Sequence, residues 1–179
     1  TVLVNLMMSE NSAQKGGAIY IGENTSGGSD YEVLIVNCTL AENTADVIDG
    51  GGAIFVEEGT GEGVSIINTI VYDNHDNGGA GDNGISFADG ETRFINFIHS
   101  NIQDDPDSYP DNVQINAGLD AEVIETNQFL LDPTLDYDNL YALLEGSPCI
   151  NAGTADIMDS FSDWGVEEYE IFHGIPDMG

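Results

Sequence analysis

The stretch VNCTLAENTADVIDGGGAIFV (Val36–Val56) holds two apolar runs, separated by an Asn and then by three glycines. The pattern recurs along the chain. VLVNLMMSENSA begins at Val2, VLIVNCTLAENTA at Val33, VSIINTIVYDNHD at Val64 and RFINFIHSNIQ at Arg93. Aligned on Asn11, Asn43, Asn74 and Asn101, the runs are spaced 32, 31 and 27 residues apart. Counting back seven positions gives Val4, Val36, Ile67 and Phe94. Counting back five gives Leu6, Cys38, Thr69 and Asn96, and counting back three gives Met8, Leu40, Val71 and Ile98. Polar residues such as Asn5, Asn37 and Asn68 lie between them, a period of two that reads as a half-buried strand.

A second short strand follows each run: GGAIYI from Gly16, GGAIFV from Gly51, GISF from Gly84 and NVQI from Asn112. Alternation turns Ile19/Ile21, Ile54/Val56, Ile85/Phe87 and Val113/Ile115 inward and leaves Tyr20, Phe55 and Ser86 on one outward stripe. A third strand starts near Val33, Val64 and Phe94. Short strands repeated about every 30 residues, with no helical pattern between them, stack as coils about 4.8 Å apart. The Asn residues then fall at a bend where they can hydrogen-bond up the stack as an amide ladder. The glycines at 50–52 permit the tight or left-handed backbone of a corner. A flat sandwich, with Asn and Gly in hairpin turns, is the competing architecture.

Composition narrows the partners. The formal net charge is −31, and Lys15 and Arg93 are the only permanent cations. Such a surface repels nucleic acid and anionic membranes and suits high salt, divalent cations or a cationic partner. A solvated shell that only keeps the chain soluble is the simpler alternative. No apolar run reaches the roughly 18 residues of a membrane span. The opening TVLVNLMMSENSA lacks the basic start of a signal peptide. Cys38 and Cys149 are too few for a disulfide framework and are expected as two buried thiols.

These residues resemble the right-handed parallel β-helix of the pectin-lyase-like fold, and more narrowly the secreted bacterial β-helix proteins with coils reading N-C-T-[apolar]-x-x-N-x-A…G-G-A-[apolar]. Residues 37–54 match that pattern. Residues 5–19 match it with Leu6 in place of Cys, and residues 68–85 match loosely. Asp132-Pro133, Tyr141, Leu143 and GSPCINAGT (Gly146–Thr154) resemble the family tail, of which DWGVEEYE (residues 163–170) is a looser echo. The family's lyases abstract a proton with Arg or Lys while calcium bridges an acidic substrate, so Lys15 and Arg93 would be the only bases available. Its hydrolases use grouped Asp residues with a His and a basic residue. Here Asp104-Asp105 lacks the matching His-Gly and Arg-x-Lys elements, and FHG (residues 172–174) lies far away in the tail.

Acidic loops supply candidate calcium ligands, because a hard cation wants six to eight oxygens. Asp73, Asp76 and Asp82 group best, with Asp104, Asp105 and Asp107 next. His75 and His173 read as exposed loop residues and His99 as outward-facing, with no zinc pattern. Of two N-x-[ST] triplets, Asn24 lies in a loop and Asn37 in mid-strand.

The expectation is therefore an all-β, right-handed parallel β-helix (solenoid) of about four coils. Residues 1–118 form the coils, and residues 119–179 an irregular C-terminal cap of the same domain. Phe129, Leu130, Leu140, Leu143, Leu144 and Ile150 are expected to close the core, with Trp164 and Tyr169 packed on the cap. The expected role is a non-catalytic extracellular or cell-surface protein: structural, adhesive or filament-forming, with calcium as the one cofactor and no catalytic residue assigned. Its partners would be other copies or upstream coils stacking on the N-terminal rung, and polysaccharide, without nucleic acid or membrane insertion. The alternative is a carbohydrate-active enzyme of the same fold, or a fragment of one, working along Tyr20, Phe55 and Ser86.

Overall fold

The computed structural model describes residues 1–22, 33–59, 63–77, 83–90, 94–116, 118–121 and 126–154. The first coil contributes strands β1 (Val2–Val4), β2 (Met7–Ser9), β3 (Ser12–Ala13) and β4 (Ile19–Ile21). The second contributes β5 (Val33–Val36), β6 (Thr39–Ala41), β7 (Thr44–Ala45) and β8 (Ile54–Val56). The third holds β9 (Val64–Ile67), β10 (Ile70–Tyr72) and β11 (Ile85–Phe87). A partial fourth coil holds β12 (Phe94–Ile98) and β13 (Asn101–Ile102), followed by β14 (Gln114–Ile115), β15 (Gln128–Phe129), β16 (Leu135–Asp136) and β17 (Ala142–Leu143).

Equivalent strands pair in parallel from coil to coil. Sheet 1 runs β1-β5-β9-β12-β14, sheet 2 runs β2-β6-β10-β13-β15, and sheet 3 runs β4-β8-β11, with a small β3-β7 pair beside them. The result is a parallel β-solenoid. It has about three complete turns instead of about four, because the fourth coil enters only sheets 1 and 2. Register places Met7↔Thr39 and Met8↔Leu40, then Leu40↔Val71 and Val71↔Ile102. Sheet 3 stacks Ile19, Ile54 and Ile85 in one column and Ile21, Val56 and Phe87 in another, as alternation requires.

The fourth coil corrects the sequence alignment. Ile102, not Ile98, continues the Met8–Leu40–Val71 column, and Ile98 pairs with Ile67. Ser100, not Asn96, follows Cys38 and Thr69: its hydroxyl accepts from the Thr69 N–H as the Thr69 hydroxyl accepts from Cys38. Gln114-Ile115 of NVQI pairs with Phe94-Ile95 in sheet 1 and not with sheet 3.

Each long run is also bent where an even strand was expected. Asn5, Asn37, Asn68 and His99 stand at φ 54°, 51°, 48° and 47° between sheets 1 and 2. Asn and His tolerate this left-handed region better than branched residues do. The bend reverses which side chains face in. Leu3, Ile35, Ile66 and Phe97 join Cys38, Leu40 and Val71 in the main core, while Val4, Val36 and Ile67 form a separate cluster on the other face of sheet 1. Strand β5 is accordingly apolar on both faces, the pattern of a doubly covered parallel strand, and in β9 only Ser65 departs from it.

The tail closes the stack at one point and then turns back. Phe129 enters the main core, but Leu130, Leu140, Leu144 and Ile150 are exposed. From Leu131 the chain lies along the outer face of sheet 2 as a strap. Leu135, Tyr141, Leu143 and Cys149 pack on Ala41 and Ile70. Asn101 Nδ2 donates to the Leu131 carbonyl at 3.0 Å, Gln128 Nε2 to Pro148 at 3.0 Å and Asn68 Nδ2 to Thr154 at 2.8 Å. The Thr154 N–H returns a bond to Asn68 Oδ1 at 2.8 Å. The GSPCINAGT segment is thus the clasp of the strap. Both cysteines are buried thiols, as expected.

Candidate functional site

The outward column of sheet 3 is built by register alone: Tyr20 lies beside Phe55, and Phe55 beside Ser86. The Tyr20 and Phe55 rings stack with centroids 5.9 Å apart and planes 12° from parallel. Lys15 Nζ sits 4.0 Å from the Phe55 ring centre and 3.8 Å from a Glu57 carboxylate oxygen. Tyr20 OH donates to the same carboxylate at 2.5 Å. Phe55 is consequently only 2% exposed, whereas Tyr20 remains 53% exposed. An exposed cation–π contact contributes about 0.5–1 kcal/mol and an exposed ion pair still less. What they provide is a fixed orientation: Tyr20 presents one ring face beside an open hollow of about 430 Å³ lined by Gln14, Lys15 and Glu57. Two rungs on, Ser86 replaces the aromatic. It leaves a notch of about 170 Å³ walled by Asp49, Asn83, Asp89, Ser108 and Tyr109.

The acidic candidates do not share one place. Asp73 Oδ1 lies 3.3 Å from His75 Nε2, and burial, followed by the Asp73 carboxylate, pushes the Tyr137 phenol above its ordinary value. Asp76 is buried, with Oδ2 accepting from Asn83 Nδ2 at 3.4 Å. Asp104 is buried and saturated. Its Oδ1 accepts from the Gly84 N–H at 2.7 Å, and its Oδ2 from Ile85 N–H at 2.8 Å and Tyr109 OH at 2.9 Å. Burial pushes the Asp104 carboxyl above its ordinary value; those hydrogen bonds oppose the rise and the Asp76 charge adds to it. Asp105 caps the short 3-10 turn Pro106–Ser108 by accepting the Asp107 N–H at 3.0 Å, and Asp107 is exposed. Asp82 lies outside the described residues, as do Arg93, Asn24, Trp164, Tyr169 and His173. Among the described residues, no three His, Cys, Asp or Glu side chains gather in a metal-holding group.

Two arrangements were not anticipated. The residue before each ladder Asn is acidic (Glu10, Glu42, Asp73) and left-handed, at φ 56°, 54° and 56°. Tyr141 OH donates to Glu42 at 2.6 Å and lies 3.2 Å from Glu10, so the strap covers this carboxylate column with phenols. The recurring acidic–Asn pair carried that signal in the sequence. The second is Gln103. The ladder runs from Asn11 Nδ2 to Asn43 Oδ1 at 2.9 Å and from Asn43 Nδ2 to Asn74 Oδ1 at 2.9 Å, as expected. Its last acceptor is then Gln103 Oε1, 3.1 Å from Asn74 Nδ2, and not Asn101. Asn101 lies instead on sheet 2 beneath the strap. No protein-family model, curated protein or solved structure matches the chain.

Proposed function

We propose that this chain is a non-catalytic extracellular or cell-surface β-solenoid of structural, adhesive or filament-forming kind, which docks through its first coil. One observation supports the reading most. Among the described residues β1, β2, β3 and β4 are all sheet edges, and Val2, Leu6 and Met7 beside them are 36%, 40% and 44% exposed. Sheet-edge strands next to exposed apolar side chains form a template for a further strand layer. The matching layer is another copy or the coils of a longer chain. The likeness of residues 37–54 and 146–154 to secreted pectin-lyase-like repeats points to the extracellular setting and a right-handed coil. Oxidative footprinting of Met7 in the native assembly tests the reading. Shielding of Met7 is expected; a freely oxidised Met7 contradicts it.

Calcium would serve this role by neutralising the solvent-facing loop carboxylates Asp73, Asp105 and Asp107. A rise in melting temperature from chelator to millimolar calcium is expected, and an unchanged melt removes calcium from the account. A second reading, carbohydrate binding or processing along sheet 3, is favoured by the oriented, half-exposed Tyr20 ring beside Gln14, Lys15 and Glu57. Calorimetric titration with neutral and uronate oligosaccharides tests it. Binding lost in Tyr20→Ala supports it, and heat equal to buffer dilution rules it out.

A further inference from the structure

The outward column of sheet 3 changes character at its third place. Tyr20 and Phe55 fill the first two places with rings, and register puts Ser86 in the third. A hydroxyl where a ring stood leaves the notch of about 170 Å³ open. Ser86 is only 6% exposed, it lines this notch, and its hydroxyl has no hydrogen-bond partner among the described residues. Buried hydroxyls are normally paired, so an open one facing a cavity points to a bound group that pairs with it. Two exposed carboxylates line the same notch. That of Asp89 accepts no hydrogen bond among the described residues, and Asp49 Oδ1 receives only a long one from Asn83 Nδ2, at 3.4 Å. Ile85, Phe87 and Pro110 supply apolar wall.

We propose that the Ser86 notch binds a primary ammonium group carried on a short alkyl chain, the chemistry shared by a lysine side chain and a free aliphatic amine. An ammonium has three N–H donors and no acceptor, and Asp49, Asp89 and Ser86 offer three acceptors. The alkyl stem lies along Ile85, Phe87 and Pro110, as the stems of amphipathic side chains do. A hard divalent cation wants six to eight oxygens, which this partly apolar wall does not supply. A guanidinium fork is matched to one carboxylate taken bidentately, whereas the acceptors here come singly from three residues. The net charge of −31 concentrates cations at the surface. The same column already holds one ammonium in this way: Lys15 Nζ lies 4.0 Å from the Phe55 ring centre and 3.8 Å from Glu57. That contact commits Lys15, so the occupant of the Ser86 notch comes from another molecule. The proposal stands apart from docking through the first coil and from sugar binding at Tyr20.

The test titrates the isotope-labelled full chain with pentylammonium chloride at constant ionic strength and follows the backbone amide shifts. Saturating shifts at Ser86, Phe87 and Asp89 are expected. Asp49→Asn/Asp89→Asn removes both charges at exposed positions and should weaken binding about fivefold or more. Ser86→Ala should weaken it about threefold or more. Pentyltrimethylammonium keeps the charge and the stem but has no N–H donor, so on the unaltered protein it should bind about fivefold more weakly or worse. Equal binding of the two cations overturns the proposal, as does unchanged binding in the double variant. Shifts spread over the acidic loops without saturation at Ser86 overturn it as well, and so does calcium that moves the same amides at lower concentration than the amine. A blocked Gly-Lys-Gly peptide separates the two sources: the same shifts assign the site to a lysine side chain of a partner protein, and their absence beside a binding amine assigns it to a free amine.

Discussion

Asn74→Ala removes the most heavily used rung of the amide ladder. Asn74 is fully buried. Its Oδ1 accepts from the Asn43 N–H at 3.1 Å and from Asn43 Nδ2 at 2.9 Å. Its Nδ2 donates to the Leu40 carbonyl at 2.9 Å, to Tyr72 at 3.1 Å and to Gln103 Oε1 at 3.1 Å. The substitution leaves the Asn43 N–H without an acceptor, which costs about 1–3 kcal/mol, and forfeits further bonds at about 1 kcal/mol net each. A loss of about 4 kcal/mol follows, near the upper end for single substitutions. At this chain length it corresponds to a drop of roughly 8–16 °C in melting temperature. Asn11→Ala, at the exposed end of the same ladder, should cost less than about 1 kcal/mol because water replaces the lost partners. Urea unfolding of both variants measures the difference. Equal losses, or a loss below about 1 kcal/mol at Asn74, would refute the ladder as a stabilising element.

Gly51 stands at φ +64°, and a Cβ there would lie 2.0 Å from the Ile54 carbonyl oxygen. Gly51→Ala should therefore cost more than about 2 kcal/mol, whereas Gly146→Ala, at φ +90° with nothing near, should show only the smaller backbone penalty; chemical denaturation compares them. Asp104→Asn keeps the shape but turns an NH2 toward one of two backbone donors. A loss of about 1–3 kcal/mol by thermal melting is expected, and a neutral result contradicts the carboxylate's role in ending sheet 3. Burial, with the bond to Glu42 and its charge, pushes the Tyr141 phenol up to about 12. The folded state then holds this proton more tightly than the unfolded state. The stability it contributes is complete below the ordinary phenol value of about 10 and is lost as pH rises to about 12. Alkaline titration followed by proteolysis of the strap should show release in that window, and Tyr141→Phe should remove the dependence.

The repeat was legible because stacking demands the same side-chain type at the same height, so Asn11, Asn43 and Asn74 had to recur. Sheet 3 was legible for the same reason, through Ile19, Ile54 and Ile85. Reading failed where the chain leaves the period. Asn101 offered an attractive fourth rung, but hydrogen-bonded register keeps a 31-residue step into the fourth coil, pairing Ile67 with Ile98. The chain then turns early, and the longer Gln103 side chain reaches the ladder site. The bends at Asn37 and Glu42 were hidden because a left-handed residue resets the alternation without interrupting the apolar pattern. The strap was hidden because Leu140 and Leu144 look like core residues, and only tertiary contact shows that Tyr141, Leu143 and Cys149 do the covering. For the metal candidates, carboxylate count was a weak guide in so acidic a chain: Asp104 accepts from backbone N–H groups of sheet 3, and Asp105 from the N–H of its own turn.

The in-register stack is tested most directly by nuclear Overhauser contacts in isotope-labelled protein. Parallel pairing predicts cross-strand contacts from Ile70 to both Thr39 and Asn101, and from Val71 to both Leu40 and Ile102. Contacts from Val71 to Ile98, or the close Hα–Hα pairs of antiparallel hairpins between coils, would contradict it.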